Sequence, residues 1–146
     1  LSNVSLVYDG LVSLIEDALP DYTRLPDSYG VGGNDDISMI SGFSVGFGPG
    51  LNTKRFICGK VSILRTFNIR FTKLRAFTDE NAIGRATEEK ALMDDSFSIY
   101  DLLEDTTSLG GVQVSSLYYD ADGGIEFSED NQHSIINAAI SAEYFE

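Results

Sequence analysis

Gly42-Phe43-Ser44-Val45-Gly46 has the G-x-S-x-G spacing of a nucleophile elbow. In that motif a strained strand-to-helix turn pushes a serine into the open beside backbone amides. The one histidine, His133, follows Ser44 in an order that a hydrolase allows, and it is expected in a polar turn. The residues after Gly46 continue a strand pattern and then meet Gly48-Pro49-Gly50, so no helix follows the serine. The segment therefore reads as a strand with small outward residues. Asp120, Asp122 and Glu126 carry oxygen ligands of the kind calcium takes. An EF-hand loop spreads its ligands over about twelve residues between two helices. This stretch is shorter and lies between strands, so an Asp-Gly turn is the expected reading. Gly30, Gly32 and Gly33 precede no helix, which argues against a phosphate loop. Asn3-Val4-Ser5 fits a glycosylation sequon without a secretory context, and the lone His133 makes no metal site. Acid pairs such as Asp35-Asp36, Glu88-Glu89 and Asp94-Asp95 read as solvated faces. No cofactor is implied and no enzymatic activity is expected.

Charge carries more information than any of these motifs. The 146 residues hold ten bases and 23 acids, a net charge of −13. Seven of the bases, Lys54, Arg55, Lys60, Arg65, Arg70, Lys73 and Arg75, fall in one stretch of 22 residues with no Asp or Glu. That stretch is +7; the remainder, with Arg24, Arg85 and Lys90 against all 23 acids, is −20. From Asp94 to the end there are twelve acids and no base. A molecule so polarised favours meeting copies of itself positive to negative. The basic residues are the expected subunit interface. Asp94, Asp95, Asp101, Glu104 and Asp105 are the expected complementary surface. The overall negative charge argues against general nucleic-acid binding, because phosphates are repelled.

The size fits one domain, residues 1–146, and 42% hydrophobic content with 7 Tyr and 9 Phe is enough for a core. Cys58 is the single cysteine, which excludes an internal disulfide and agrees with a reducing compartment. No apolar run approaches the ~20 residues that span a bilayer, so no membrane partner is expected. The chain does not begin with Met, so residue 1 need not be the translation start.

The elements that must position these charges follow from periodicity. Val4, Val7, Leu11, Leu14, Ile15 and Ala18 make an apolar stripe that predicts a helix over 4–19, capped by Ser2 or Asn3 and stopped by Pro20. Residues 27–36 form a polar loop. Phe43, Val45 and Phe47 then alternate as a strand, which 47–52 is expected to break. Val61, Ile63, Arg65, Phe67, Ile69 and Phe71 point one way; Ser62, Thr66, Asn68, Arg70 and Thr72 point the other. A strand over 61–77 would be about 55 Å long at ~3.3 Å per residue, in a domain whose radius of gyration is only about 15 Å. The run is expected to bend at a bulge or to project as a basic arm over about 54–77. Arg65, on the apolar side, marks the expected bend or interface point. Thr78 or Asp79 caps a second helix that fades near Leu103, its stripe set by Ala82, Ala86, Met93, Phe97 and Tyr100. Val112 to Tyr119 reads as a strand, Asp120 to Gly124 as a turn, and 135–145 as a last strand. The expected fold is α+β, a small, mostly antiparallel sheet with two helices on one face, in the order α-β-β(-β)-α-β-β.

This layout resembles the tail terminator (tail completion) proteins of long-tailed bacteriophages over nearly the full chain. The resemblance rests on the opening helix LVSLIEDALPDYTRLPDSY, the strand region FICGKVSILRTFNIRFTKLRAF, the acid-capped helix TDENAIGRATEEKALMDDSFSIYDLL, and the closing VQVSSLYYDADGGIEFSEDNQHSIINAAISAEYFE. No single motif is diagnostic. The resemblance implies a structural virion protein without catalytic residues. It implies a homo-oligomer, a hexameric ring that caps the tail tube, stops its polymerisation and offers a joining surface to a neck or head-completion protein. DNA would pass through the ring without specific binding, repelled by an acidic lumen. The place would be the tail-neck region of the virion, assembled in the host cytoplasm. Rival readings are another neck or head-completion protein, a tail tube subunit, a small acidic protein-binding module, and a hydrolase using Ser44 and His133.

Overall fold

A computed structural model describes residues 2–24, 41–55, 60–74, 82–127 and 133–146. The first helix, α1, spans Asn3–Ala18. Ser2 caps it: its side chain accepts from the Ser5 N–H at 3.4 Å, which satisfies one donor that the first turn leaves without a partner. Val7, Leu11, Val12 and Ile15 are buried, and Val4, Leu14 and Ala18 pack at the margin of the same stripe. The helix gives way at Leu19, just before Pro20.

Among the described residues six strands form one sheet: β1 (Thr23–Arg24), β2 (Ser41–Arg55), β3 (Val61–Leu74), β4 (Ser108–Leu109), β5 (Val112–Phe127) and β6 (His133–Phe145). Their order is β1-β2-β3-β6-β5-β4. Among the described strands β1 with β2 is parallel and the other pairs are antiparallel. The fold is the expected α+β arrangement. The strands that are neighbours in sequence, β2 with β3 and β5 with β6, do pair antiparallel.

Side-chain alternation sets one face of this sheet as the core face. Phe43 and Val45 of β2 stand opposite Phe71 and Ile69 of β3. Those in turn stand opposite Ile136 and Ala138 of β6. All six are buried. The helices cover this face. α1 packs on β4 and β5, α2 (Ala82–Phe97) on β3 and β6, and α3 (Tyr100–Asp105) on β5. α1 comes close enough to the β4–β5 turn that only glycines fit. A Cβ on Gly10 would lie 2.6 Å from the Leu109 carbonyl carbon and would strike the Gly110 N–H as well. Gly110 itself has φ +58, a conformation that side-chain-bearing residues rarely adopt.

Five expectations are corrected. The second helical run is two helices, with a break at Ser98–Ile99. Its buried stripe is Leu92, Ser96, Ile99 and Leu103, not the predicted one. Ala86, Phe97 and Tyr100 are exposed. The buried set has the 4-3-4 spacing of one helical face, and the small polar Ser96 within it hid the stripe from a reading by side-chain size.

The Gly-Pro-Gly stretch does not end its strand. β2 runs on to Arg55, with a register shift between Phe47 and Gly50. A bulge absorbs the irregular backbone there, and proline is tolerated because β2 lies toward the sheet edge. Asp120 to Gly124 likewise lies within β5, with register shifts between Tyr119 and Ala121 and between Asp122 and Ile125. Gly124 has φ +76, and its N–H donates to Asp122 Oδ1 at 2.9 Å. The local chemistry is that of an Asx turn, held inside a continuing ladder.

Last, β3 is not a free arm. It is unbroken against β6 from Ser62 to Leu74, and its other edge pairs with β2 from Val61 to Lys73. The bulge is in β2, opposite the stretch between Arg65 and Phe67. The expected helix caps Thr78 and Asp79 and the loop over 27–36 lie outside the described residues.

Candidate assembly surfaces

The basic residues do not form a single patch. Arg65 points into the core face and acts as a brace. Its Nε donates to the Tyr144 hydroxyl at 3.2 Å and its Nη1 to the Gly48 carbonyl at 3.1 Å. Its guanidinium also lies over Gly50, where a Cβ would come within 2.5 Å of it. The expected bend point is thus the residue that fastens the β2 bulge to β6. Arg70 points to the opposite face, where its Nε donates to Asn137 Oδ1 at 2.9 Å. Asn137 reaches on toward Glu126 Oε2 at 3.5 Å. Thr66, Ser141 and Asp120 make a second, looser polar row at 3.4 and 3.5 Å. Both rows cross the sheet from β3 to β5.

Lys73 and Asp95, expected on opposite sides of an interface, meet each other within the chain. Their Nζ and Oδ2 are 3.6 Å apart. The same Oδ2 accepts a 2.8 Å hydrogen bond from the Tyr22 hydroxyl. Burial pushes the Tyr22 phenol well above its ordinary value, and the hydrogen bond and negative charge of Asp95 push the same way. These contacts tie the end of α2 to β3 and to the chain leaving α1. Lys60 is exposed. Lys54 and Arg55 lie on the last two positions of β2, and Arg75 lies outside the described residues. Of the acids, Asp94, Asp101, Glu104 and Asp105 are exposed on α2 and α3.

An aromatic cluster escaped the sequence reading. Phe97 stacks on Tyr100 at 5.4 Å between centroids, and Tyr119 of β5 lies 5.1 Å from Phe97 and 6.4 Å from Tyr100. Phe97 is 46% exposed and Tyr100 40%. Tyr119 is more sheltered, and its buried hydroxyl has no well-formed hydrogen bond. The nearby Ser96 hydroxyl donates instead to the Met93 carbonyl at 2.9 Å. Burial, and then the charge of Asp122, raise the Tyr119 pKa, against a smaller lowering by Ser96. The signal in the sequence was the i, i+3 spacing of Phe97 and Tyr100, which served equally well for a core stripe.

The residues with possible chemistry lie on different strands. Ser44 lies in mid-strand, paired with Arg70 of β3 and buried. It does not sit on the strand-to-helix turn that an elbow requires. His133 is buried at the start of β6, not in a polar turn. Among the described residues no three His, Cys, Asp or Glu side chains come together as metal ligands. No described helix is long and apolar enough to cross a membrane.

No family model and no curated protein matches the sequence. Among solved structures, the chain is similar to one from a virion of a native gene transfer agent (GTA) particle, at 13% identity and a TM-score of 0.49. The match covers 97% of this chain and 93% of that one.

Proposed function

We propose that this chain is a structural virion protein, a tail terminator that closes into a ring, caps the tail tube and stops its growth. The ring would offer its other surface to a neck or head-completion protein. The observation that carries the reading is the separation of charge across the sheet. Lys54, Arg55 and Arg70 belong to β2 and β3. Asp120, Asp122 and Glu126 belong to β5, at the other side, and the exposed acids of α2 and α3 follow the same chain segment. A ring needs a heterologous interface, in which one patch meets a different patch on the next copy. Lys54 and Arg55 at the end of β2 would supply the basic patch and the exposed acids of β5, α2 and α3 the acidic one. The expected layout of the family, a sheet with helices on one face, agrees with the fold described above. No catalytic role is proposed. The excess of acid over base would let DNA pass through the ring without adhering, by like-charge repulsion.

Native mass spectrometry of the protein, alone and after mixing with tail tubes, tests this, with negative-stain imaging of the tubes. Six subunits in a free ring, or at one end of each tube, is the expected result. A monomer that leaves tubes growing would overturn it in favour of a binding module.

A further inference from the structure

We infer that two copies join edge to edge, the outer edge of β2 in one copy pairing with the outer edge of β5 in the next, in a staggered register. The inference rests on the ring reading above and names the surfaces that would close it. β1 pairs β2 only at Gly42 and Phe43, and β4 pairs β5 only at Val112 and Gln113. Beyond these short strands, the outer edges of β2 and β5 have no strand partner among the described residues. Such edges present backbone donors and acceptors to another chain.

Direction favours the match. The four long strands alternate, so β2 and β5 run oppositely. A second copy set beside the first with its helices on the same face therefore brings β2 against β5 antiparallel. The same step repeated from copy to copy is head-to-tail, the kind that closes a ring.

Charge and obstruction set the register. The open part of β5 carries Asp120, Asp122 and Glu126, all exposed, and no base. The end of β2 carries Lys54 and Arg55 and no acid. Through the pairing across the sheet, Asp122 is level with Val45, nine positions from Lys54. Side-by-side docking would leave the charges unmatched. It would also set Pro49, which has no N–H, in the middle of the new ladder. A slip of roughly 25–30 Å along the strands, at ~3.3 Å per residue, places the 50–55 end of β2 against the acidic part of β5. The same slip carries β1 and β4 clear of the neighbour's strands. Leu51, 64% exposed, lies on the segment that would be covered. The contrary reading is that Pro49, Lys54 and Arg55 blunt the edge and keep copies apart.

Three proteins separate these outcomes: the wild type, Lys54→Glu with Arg55→Glu, and Asp120→Lys with Glu126→Lys. Circular dichroism melts establish that each is folded, and native mass spectrometry at low salt reads assembly with and without tubes. Each variant alone should assemble roughly tenfold or more weakly than wild type. A one-to-one mixture should recover rings with the two variants alternating, because both kinds of junction are again opposite in charge. Folded variants that assemble as wild type does would overturn the edge pairing and leave the ring reading standing. A mixture that stays disassembled, or a Lys54→Glu, Arg55→Glu protein that associates more strongly, would also overturn it. A wild type that remains monomeric even with tubes would remove the ring reading itself.

Discussion

At the scale of single residues, a tight constraint falls on Gly10. Alanine in a helix is ordinarily favoured over glycine by about 1 kcal/mol. Here the added methyl would meet backbone atoms of Leu109 and Gly110, which cannot swing aside as a side chain tip can. Gly10→Ala is expected to lower stability by about 1–3 kcal/mol, as overpacking does, seen as a lower denaturation midpoint. The opposite sign would show that α1 and the β4–β5 turn can part. Tyr22 supplies a second test. Burial, then the hydrogen bond to and charge of Asp95, hold its phenol protonated in the fold, well above the ordinary tyrosine value of 10.0. Stability from this raised pKa is fully present below about pH 10 and is lost as pH rises above that value. Urea melts from pH 8 to 11 should show this fall, and Tyr22→Phe should make it shallower, the raised pKa of Tyr119 keeping part of it. Removing only Asp95 leaves the Tyr22 hydroxyl short of an acceptor, so Asp95→Ala should cost about 1–3 kcal/mol. The Tyr22→Phe, Asp95→Ala double variant should cost less than the two singles added together.

At the scale of elements, the sheet is more regular than the sequence implied. Period-two alternation was legible because the middle of β3 obeys it: Phe67, Ile69 and Phe71 are buried inward, and Asn68 is exposed outward. α1 was legible for the same reason, with a cap, a stripe and a proline that agree. The bulges were not. Glycine, proline and aspartate serve a tight turn and a bulged strand equally well, and only the partner strand decides which forms. For β2 that partner contact includes Arg65, whose two hydrogen bonds hold the Gly48 carbonyl to Tyr144. Tyr144 is fully buried, so an Arg65→Ala change leaves its hydroxyl without that donor and frees the bulge. A loss of about 2–3 kcal/mol is expected, in the range for charged hydrogen bonds. Arg65→Lys should not restore it, because one ammonium does not reproduce the fork that reaches both acceptors. Hydrogen exchange of the amides flanking Gly48–Gly50 would locate the effect; unchanged protection there would separate Arg65 from the bulge.

At the scale of the whole molecule, charge works in opposite directions on folding and on assembly. The core is apolar, built from Phe43, Phe67, Phe71, Ile136, Ile140 and their helix partners. The Lys73–Asp95 pair is partly exposed, and such pairs add little to stability. A net charge of −13 makes the isolated subunit repel itself. Added salt screens that repulsion, with a Debye length near 10 Å at 0.1 M, so the monomer should become more resistant to denaturation. Between subunits the same screening weakens attraction between the basic and acidic sides. Raising salt from about 0.05 to 0.5 M should therefore raise the thermal midpoint of the monomer while dissociating its oligomer. Scanning calorimetry and sedimentation velocity on one salt series can follow both. The segregation of bases into residues 54–75 was plain in the sequence, whereas their division among a core brace, a short ion pair and a sheet edge was not. Charge patterning reports sign along the chain, and the strand pairing decides which charges remain for a neighbour. If salt moved stability and assembly in the same direction, the subunit contact would rest on apolar surface. The exposed Phe97–Tyr100 cluster would then be the place to look for it.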